Sequence, residues 1–268
     1  MNVLIIGVTG YIGRAVAAAA RRAGHEVAGL RHPGGHPLPE GVRAVDGDLA
    51  DPASLTAVAK GFDRVVHVGP PLGEETDLAG VDALTAAGVP VVYTTGAAVL
   101  GSEPSDEDSD PDPHPLIRWR AEAERRVLAA GGQVVRPGMV YGNGGGLVAG
   151  LLAPKAAERG AGVYIGEPGV RWPVVHAEDL AGLYVAVLDR TGPGIWHGMS
   201  ETVRLDELAA VLGDGRTVSW PLEEARAEIG GIADLFVLDQ QISATKTRNR
   251  LGWNPAHTSL LDWLRARS

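Results

Sequence analysis

The run Met1-Asn-Val-Leu-Ile-Ile-Gly7-Val-Thr9-Gly10-Tyr11-Ile12-Gly13 decides the fold. An apolar strand, Val3 to Ile6, enters three glycines spaced three residues apart, and an alanine-rich helix, Arg14 to Arg22, leaves them. Gly7 permits a tight strand-to-helix turn, Gly10 lets backbone N–H groups approach a pyrophosphate, and Gly13 lets helix and strand pack closely. In a chain with 37 glycines the spacing alone says little, and the flanking strand and helix give it meaning. The turn predicts a dinucleotide cradle in which Thr9, Tyr11 and Ile12 also face the cofactor.

Downstream, apolar strands alternate with helical stretches at Glu26–Leu30, Val42–Val45, Arg64–Val68, Pro90–Thr94 and Gln133–Arg136. This alternation predicts an α/β fold, a doubly wound parallel (Rossmann) sheet with ligands at the carboxyl ends of its strands. The acid- and proline-rich stretch Ser102–Pro115 is expected to be either a solvated loop or a mobile flap. After Gly142 the pattern becomes irregular, starting with Asn143-Gly-Gly-Gly146.

With 268 residues, 45% of them hydrophobic, the chain can bury a large core. It has no cysteine, which excludes disulfides, thiol nucleophiles and thiolate metal sites, and no metal is expected. A formal charge of −9 argues against nucleic acid or an anionic membrane as partner. No apolar run approaches a membrane span and no leader is recognisable, so a cytoplasmic protein is expected. Only Lys60, Lys155 and Lys246 are lysines, a usage typical of GC-rich genomes.

Five landmarks in order carry a wider likeness: Asp46-Gly-Asp48-Leu49, Val65-Val-His67-Val68-Gly69, Arg136-Pro137-Gly-Met139-Val-Tyr-Gly142, Val174-Val-His-Ala-Glu-Asp-Leu180 and Lys246-Thr-Arg-Asn-Arg-Leu-Gly-Trp-Asn-Pro255. With the glycine turn, they resemble the short-chain dehydrogenase/reductase superfamily, in its extended (epimerase/dehydratase-like) and atypical branches. The resemblance implies a cofactor domain at 1–142, to which 174–192 returns, and a smaller substrate-binding domain from 143–173 and 193–268. It also implies that Asp48 and Leu49 flank the adenine, and that Val68, Gly69, Pro70, Pro137 and Met139 line the cofactor. Asp48 reads equally as a cap for a helix starting at Pro52.

Arg31 ends the second strand, where an acidic residue would bind a ribose 2′-hydroxyl; its guanidinium instead suits a 2′-phosphate. NADP(H) is therefore the expected cofactor, with His32 as a second donor, and a surface ion pair is the alternative use of Arg31.

The family works with a Ser/Thr, a Tyr and a Lys. Aligned on Tyr93-Thr-Thr95-Gly96 and on Leu116-Ile-Arg-Trp-Arg120, these positions hold Gly96, Leu116 and Arg120. No tyrosine lies between Tyr93 and Tyr141, so its loss survives any alignment error. The remaining catalytic candidates are Thr95, which a one-residue shift would bring to the serine position, His114 as a proton donor, and Arg120 as an anchor for the nicotinamide ribose. Each has a plainer reading: a β-branched strand end, a Pro-His-Pro turn and an i, i+4 pair with Glu124. His67 and His176 read as structural histidines, and Met139, Tyr141, Tyr164 and Trp172 as pocket or core.

The expected activity is an NADPH-dependent ketoreductase in which the substrate's own hydroxyl stabilises the alkoxide, with an aromatic polyketide as substrate. Two alternatives stand beside it, a non-catalytic NADP-sensing regulator and, less well fitted, a nucleotide-sugar epimerase or dehydratase. Arg118, Glu122, Arg125 and Arg126 would put a charged stripe on a helix that relatives use for dimerisation, so a monomer is expected.

Overall fold

The computed structural model describes residues 1–31 and 36–267; His32 lies outside the described residues. The first half builds β1 (Asn2–Ile6), α1 (Tyr11–Arg22), β2 (Glu26–Arg31), β3 (Arg43–Asp46), α2 (Pro52–Ala59), β4 (Arg64–His67), α3 (Glu74–Ala86), β5 (Val91–Thr94), α4 (Arg118–Ala129) and β6 (Gln133–Pro137). Alternation along β1 shows why the sheet is buried on both faces. Val3 and Ile5 enter a core shared with α1, whereas Leu4 and Ile6 enter another with α2, α3 and α4.

The second half adds β7 (Met139–Tyr141), α5 (Ala153–Arg159), β8 (Gly162–Ile165), β9 (Arg171–His176), α6 (Ala177–Leu188), β10 (Gly194–Gly198), β11 (Glu201–Arg204), α7 (Leu205–Leu212), β12 (Thr217–Trp220), α8 (Leu222–Ile229), α9 (Thr245–Leu251) and α10 (Leu260–Arg265). A seven-stranded sheet runs β10-β6-β5-β4-β1-β2-β3, every neighbouring pair parallel. Two small sheets, β11-β9-β7 and β12-β8, lie in the later part of the chain.

One expected boundary moves. Gly194–Gly198 fell within the stretch assigned to substrate binding from 193, yet it is β10, the edge strand paired to β6 with Trp196 opposite Val135. Trp196 and Ile195 insert on opposite faces of the large sheet, a burial that two flanking glycines and a histidine conceal in the sequence.

Two late landmarks meet in space. The Asp179 carboxylate, at the start of α6, accepts from Ala256 N at 2.9 Å and His257 N at 2.8 Å, and its carbonyl takes the Trp253 indole N–H at 2.9 Å. Trp253 thereby joins the α1–α6 core, and the last segment is fastened to the cofactor half.

The acidic stretch after β5 is neither simply solvated nor free to swing. Ser105 bridges to Ile242, Glu107 is buried and accepts the Thr247 N–H at 2.6 Å, and Asp108 pairs with Lys246. No helix among the described residues is long and apolar enough to cross a membrane.

Candidate active site

The three turn glycines prove unequal. Gly7 has φ +84°, and a Cβ there would stand 2.6 Å from the Gly69 backbone, so β1 and the loop after β4 touch through it. A Cβ on Gly13 would strike the Gly7 carbonyl oxygen at 2.1 Å. At Gly10 the nearest atom among the described residues is that same oxygen, at 3.1 Å, and the residue is exposed. Gly7 and Gly13 are therefore required by packing, and Gly10 leaves open the space where a pyrophosphate would meet the start of α1. The residues fit a dinucleotide.

Around this turn, the Thr9 carbonyl takes the Arg14 Nε–H at 2.8 Å, Ile12 packs on the α1–α6 core, and the Tyr11 hydroxyl donates to Gly142 O at 2.7 Å. The Tyr11 ring lies against Gly145 and Gly146, where a Cβ would approach it to 2.4 and 3.2 Å. The glycine run after Gly142 thus receives Tyr11, a role invisible in the sequence.

At the adenine end, Arg31 gives Nε–H and Nη2–H to Asp46 Oδ1 at 3.0 and 2.7 Å. The surface ion pair exists, and it aims the guanidinium at the end of β3. Asp48 Oδ1 accepts from Ala50 N, and the α2 cap is Asp51, bonded to Ala53 N and Ser54 N; the cap reading of Asp48 is corrected. A Cβ on Gly69 would meet Leu49 Cδ2 at 3.2 Å, which places Leu49 beside the β4 loop. Val68 donates its N–H to Ile6 O at 3.0 Å, and Pro70 is exposed. Pro137 is buried in β6. The Met139 side chain is buried in the core of the later half with Tyr141 and Trp172. Trp172 stacks on Phe236 at 4.7 Å and is likewise core, while Tyr164 packs against the same core.

Thr95 and Arg120 meet at the carboxyl end of β5, and each catalytic candidate is already engaged. Arg120 sends Nη2–H to Thr94 O at 2.9 Å instead of pairing with Glu124. Glu124 is buried against Arg136, with Nη2–Oε2 at 2.5 Å and Nε–Oε1 at 3.0 Å. The Thr95 hydroxyl donates to Glu124 Oε1, so its proton is committed to a carboxylate and the expected donor to a carbonyl is lost. Thr94 Oγ1 lies 2.6 Å from the Tyr184 hydroxyl. His114 Nδ1 accepts from Leu116 N at 3.3 Å, capping a short turn, so the proton of its neutral ring sits on Nε2. Gly96 is extended, and a Cβ there would meet Pro137 O at 3.9 Å; neither backbone nor space demands glycine.

His67, buried between β4 and β5, accepts the Gly69 N–H on Nδ1 at 3.3 Å and sits edge-on to Tyr93. Burial, with the Arg120 charge, lowers its pKa to about 4. Sequence reasoning missed a histidine pair. His176 and His257 stack at 3.7 Å, and with Asp179 they bring three potential ligand atoms within 4.8 Å of one another. His176 Nδ1 is occupied by Glu178 N and Asp179 by two backbone N–H groups and His257 Nδ1, and stacked rings cannot aim their lone pairs at one ion. The cluster is a junction between α6 and the chain end.

On the α4 face, Glu122 accepts from Arg125 and Arg126, and Arg126 reaches Asp82 on α3 at 2.7 Å.

The family model described as "NAD dependent epimerase/dehydratase family" matches residues 3–196. A 3-diazoavenalumate denitrifying reductase from a Streptomyces species is 30% identical over 98% of this chain and 99% of its own. The Saccharomyces cerevisiae protein YLL056C is 27% identical over 99% of this chain and 98% of its own. Among solved structures, human epimerase family protein SDR39U1 with NADPH superposes with TM-score 0.76 at 22% identity, covering 99% of this chain and 98% of that one. A strand-turn-helix cradle, a seven-stranded parallel sheet and a match across most of the chain agree: this protein belongs to the NAD dependent epimerase/dehydratase family.

Proposed function

We propose that the protein is an NADPH-dependent ketoreductase acting on a flat aromatic ketone of the polyketide type, of which angucyclinone ketoreductases are an example. One observation carries this reading: the positions aligned with the family's serine and tyrosine offer an acceptor carbonyl no free hydroxyl proton. Gly96 and Leu116 have none, and Thr95 gives its own to Glu124. A bound nicotinamide supplies a hydride; the chain's part is to hold it and the ketone together. Arg31 meets the 2′-phosphate, Arg120 adds positive charge beside the ribose, and Gly10 leaves room for the pyrophosphate. Positioning of this kind supplies on the order of 7 kcal/mol at best. The substrate's neighbouring hydroxyl would hydrogen-bond the developing alkoxide, and water would protonate it. Reductase names among relatives support the chemistry, and the loss of tyrosine disfavours epimerase or dehydratase steps that need it.

The test is single-turnover transfer from NADPH to two matched ketones, with and without the adjacent hydroxyl. The first should react roughly 10²-fold faster or more, because the lost interaction forms mainly in the transition state. Equal rates would return the role to a protein group. The committed hydroxyl of Thr95 also favours a second reading, a cytoplasmic NADP sensor without turnover. Such a sensor would bind NADPH and oxidise none of it across a panel of ketones and quinones. The ion-paired α3–α4 face supports a monomer in either case, which sedimentation would check.

A further inference from the structure

The loop that follows β4 is held at both ends by side chains. Gly69 donates its N–H to His67 Nδ1 at 3.3 Å, and Leu72 donates to Asp77 Oδ1 at 2.9 Å. Between them stand Pro70 and Pro71, which have no N–H, and the Val68 N–H goes to Ile6 O at 3.0 Å. From Val68 to Leu72 the loop therefore has no backbone donor left for a ligand. Asp77 in turn gives its own N–H to Gly73 O at 2.9 Å, so the loop and the first turn of α3 grip each other. Gly73 makes the bend between them with φ +110°, a conformation that favours glycine. Asp77 is buried beneath this loop, whereas Pro70, Pro71 and Leu72 are exposed.

This pinned loop lies against the cofactor turn. The Val68–Ile6 hydrogen bond joins it to the residue before Gly7, and the backbones of Gly7 and Gly69 touch. In the large sheet β4 and β2 flank β1 on opposite sides. A dinucleotide with its 2′-phosphate at Arg31 on β2 and its pyrophosphate at Gly10 after β1 therefore carries its nicotinamide half toward the β4 loop. Arg120, anchored on Thr94 O at the end of β5, stands on the same side, and its charge acts on both His67 and Asp77. Burial raises the Asp77 pKa, and the Leu72 N–H and the Arg120 charge pull part of that shift back.

We infer that Asp77 is a positioning residue for the cofactor: with His67 it presets the Gly69–Gly73 loop as a rigid shelf on which the nicotinamide half rests by shape. A loop fixed before binding spares the complex the cost of ordering it, and two prolines narrow what it could otherwise sample. The inference rests on NADP(H) as the cofactor and applies to a reductase and a sensor alike.

The full chain is titrated by calorimetry with NADPH and with adenosine 2′,5′-bisphosphate, the phosphorylated adenosine half that ends short of the shelf. Asp77→Ala removes the acceptor for Leu72 and should weaken NADPH about three- to tenfold, the scale of one hydrogen bond, while the bisphosphate shifts less than about twofold. Asp77→Asn keeps an oxygen for the Leu72 N–H and should bring NADPH affinity back to within about twofold of wild type. Pro71→Gly loosens the loop at an exposed position and takes away no hydrogen bond, so it tests the shelf even where Asp77→Ala fails to fold. It should weaken NADPH about two- to fivefold and again spare the bisphosphate. Parallel losses for the two ligands, NADPH affinity unchanged in Asp77→Ala and Pro71→Gly, a loss in Asp77→Asn equal to that in Asp77→Ala, or wild type binding NADPH no tighter than the bisphosphate would each overturn the shelf and leave the cofactor reading standing. Wild type that binds neither ligand would refute NADP(H) as the cofactor, and the shelf with it.

Discussion

Thr95 and Glu124 are joined by a hydrogen bond that runs from hydroxyl to carboxylate, and Arg136 backs the carboxylate from β6. Glu124 and Arg136 are each 1% exposed, so the pair survives only as a unit. Removing one partner of such a pair leaves a buried charge and costs about 3–5 kcal/mol. Glu124→Gln should lose stability on that scale by urea denaturation. Thr95→Val should lose about 1–3 kcal/mol and keep reductase activity within about tenfold, because its proton is not available to the ketone. A loss beyond 10²-fold with normal NADPH affinity would make Thr95 the general acid after all.

The glycine turn separates folding from binding. Gly13→Ala drives a methyl into the Gly7 carbonyl and should lower the melting temperature sharply. Gly10→Val sets its Cβ tight against the Gly7 carbonyl oxygen, so it should lower the melting temperature of the free protein less than Gly13→Ala does and abolish NADPH binding by calorimetry. Undiminished NADPH affinity in Gly10→Val would place the cradle elsewhere.

Arg31 should discriminate between cofactors. A charge-assisted contact to the 2′-phosphate is worth roughly 1.5–3 kcal/mol, so Arg31→Ala should weaken NADPH on the order of 10- to 100-fold and barely change NADH. Equal losses would mean that the Asp46 ion pair is its whole function.

Acid should destabilise the fold through His67. Its folded pKa, about 4, lies below the 6.5 of an open chain, so the unfolded state takes up the proton first. The contribution of its neutral form is complete above about pH 6.5, falls as pH drops toward 4 and then levels off. The gap corresponds to roughly 3 kcal/mol. Desolvation also lowers the His176 pKa, which adds in the same direction. Unfolding free energies at pH 7 and pH 5 should differ less in His67→Gln than in wild type; identical slopes would contradict the assignment.

Neither Tyr93 nor Tyr141 should serve as proton donor. Tyr141 is buried in the later core and Tyr93 between β5 and its helices, and Tyr→Phe at either should keep kcat within about tenfold. A fall of 10²-fold or more would restore a tyrosine mechanism.

Sequence by itself determined the alternation of strands and helices, the glycine turn of Gly7, Gly10 and Gly13, and the absence of any tyrosine between Tyr93 and Tyr141. These are local facts: a turn needs its glycine, a strand its apolar run, and a reaction its hydroxyl at one position of the chain. What the tertiary structure decided concerns partners far apart in sequence. Arg120 leaves Glu124, four residues away, for the Thr94 carbonyl, because Arg136 arrives from β6 to claim the carboxylate. Tyr11 finds Gly142, and Glu107 finds the Thr247 N–H. A side chain's spacing sets which neighbours it can reach along its own element, but burial drives most polar groups to the partners the fold delivers, and only the packed chain says which ones those are.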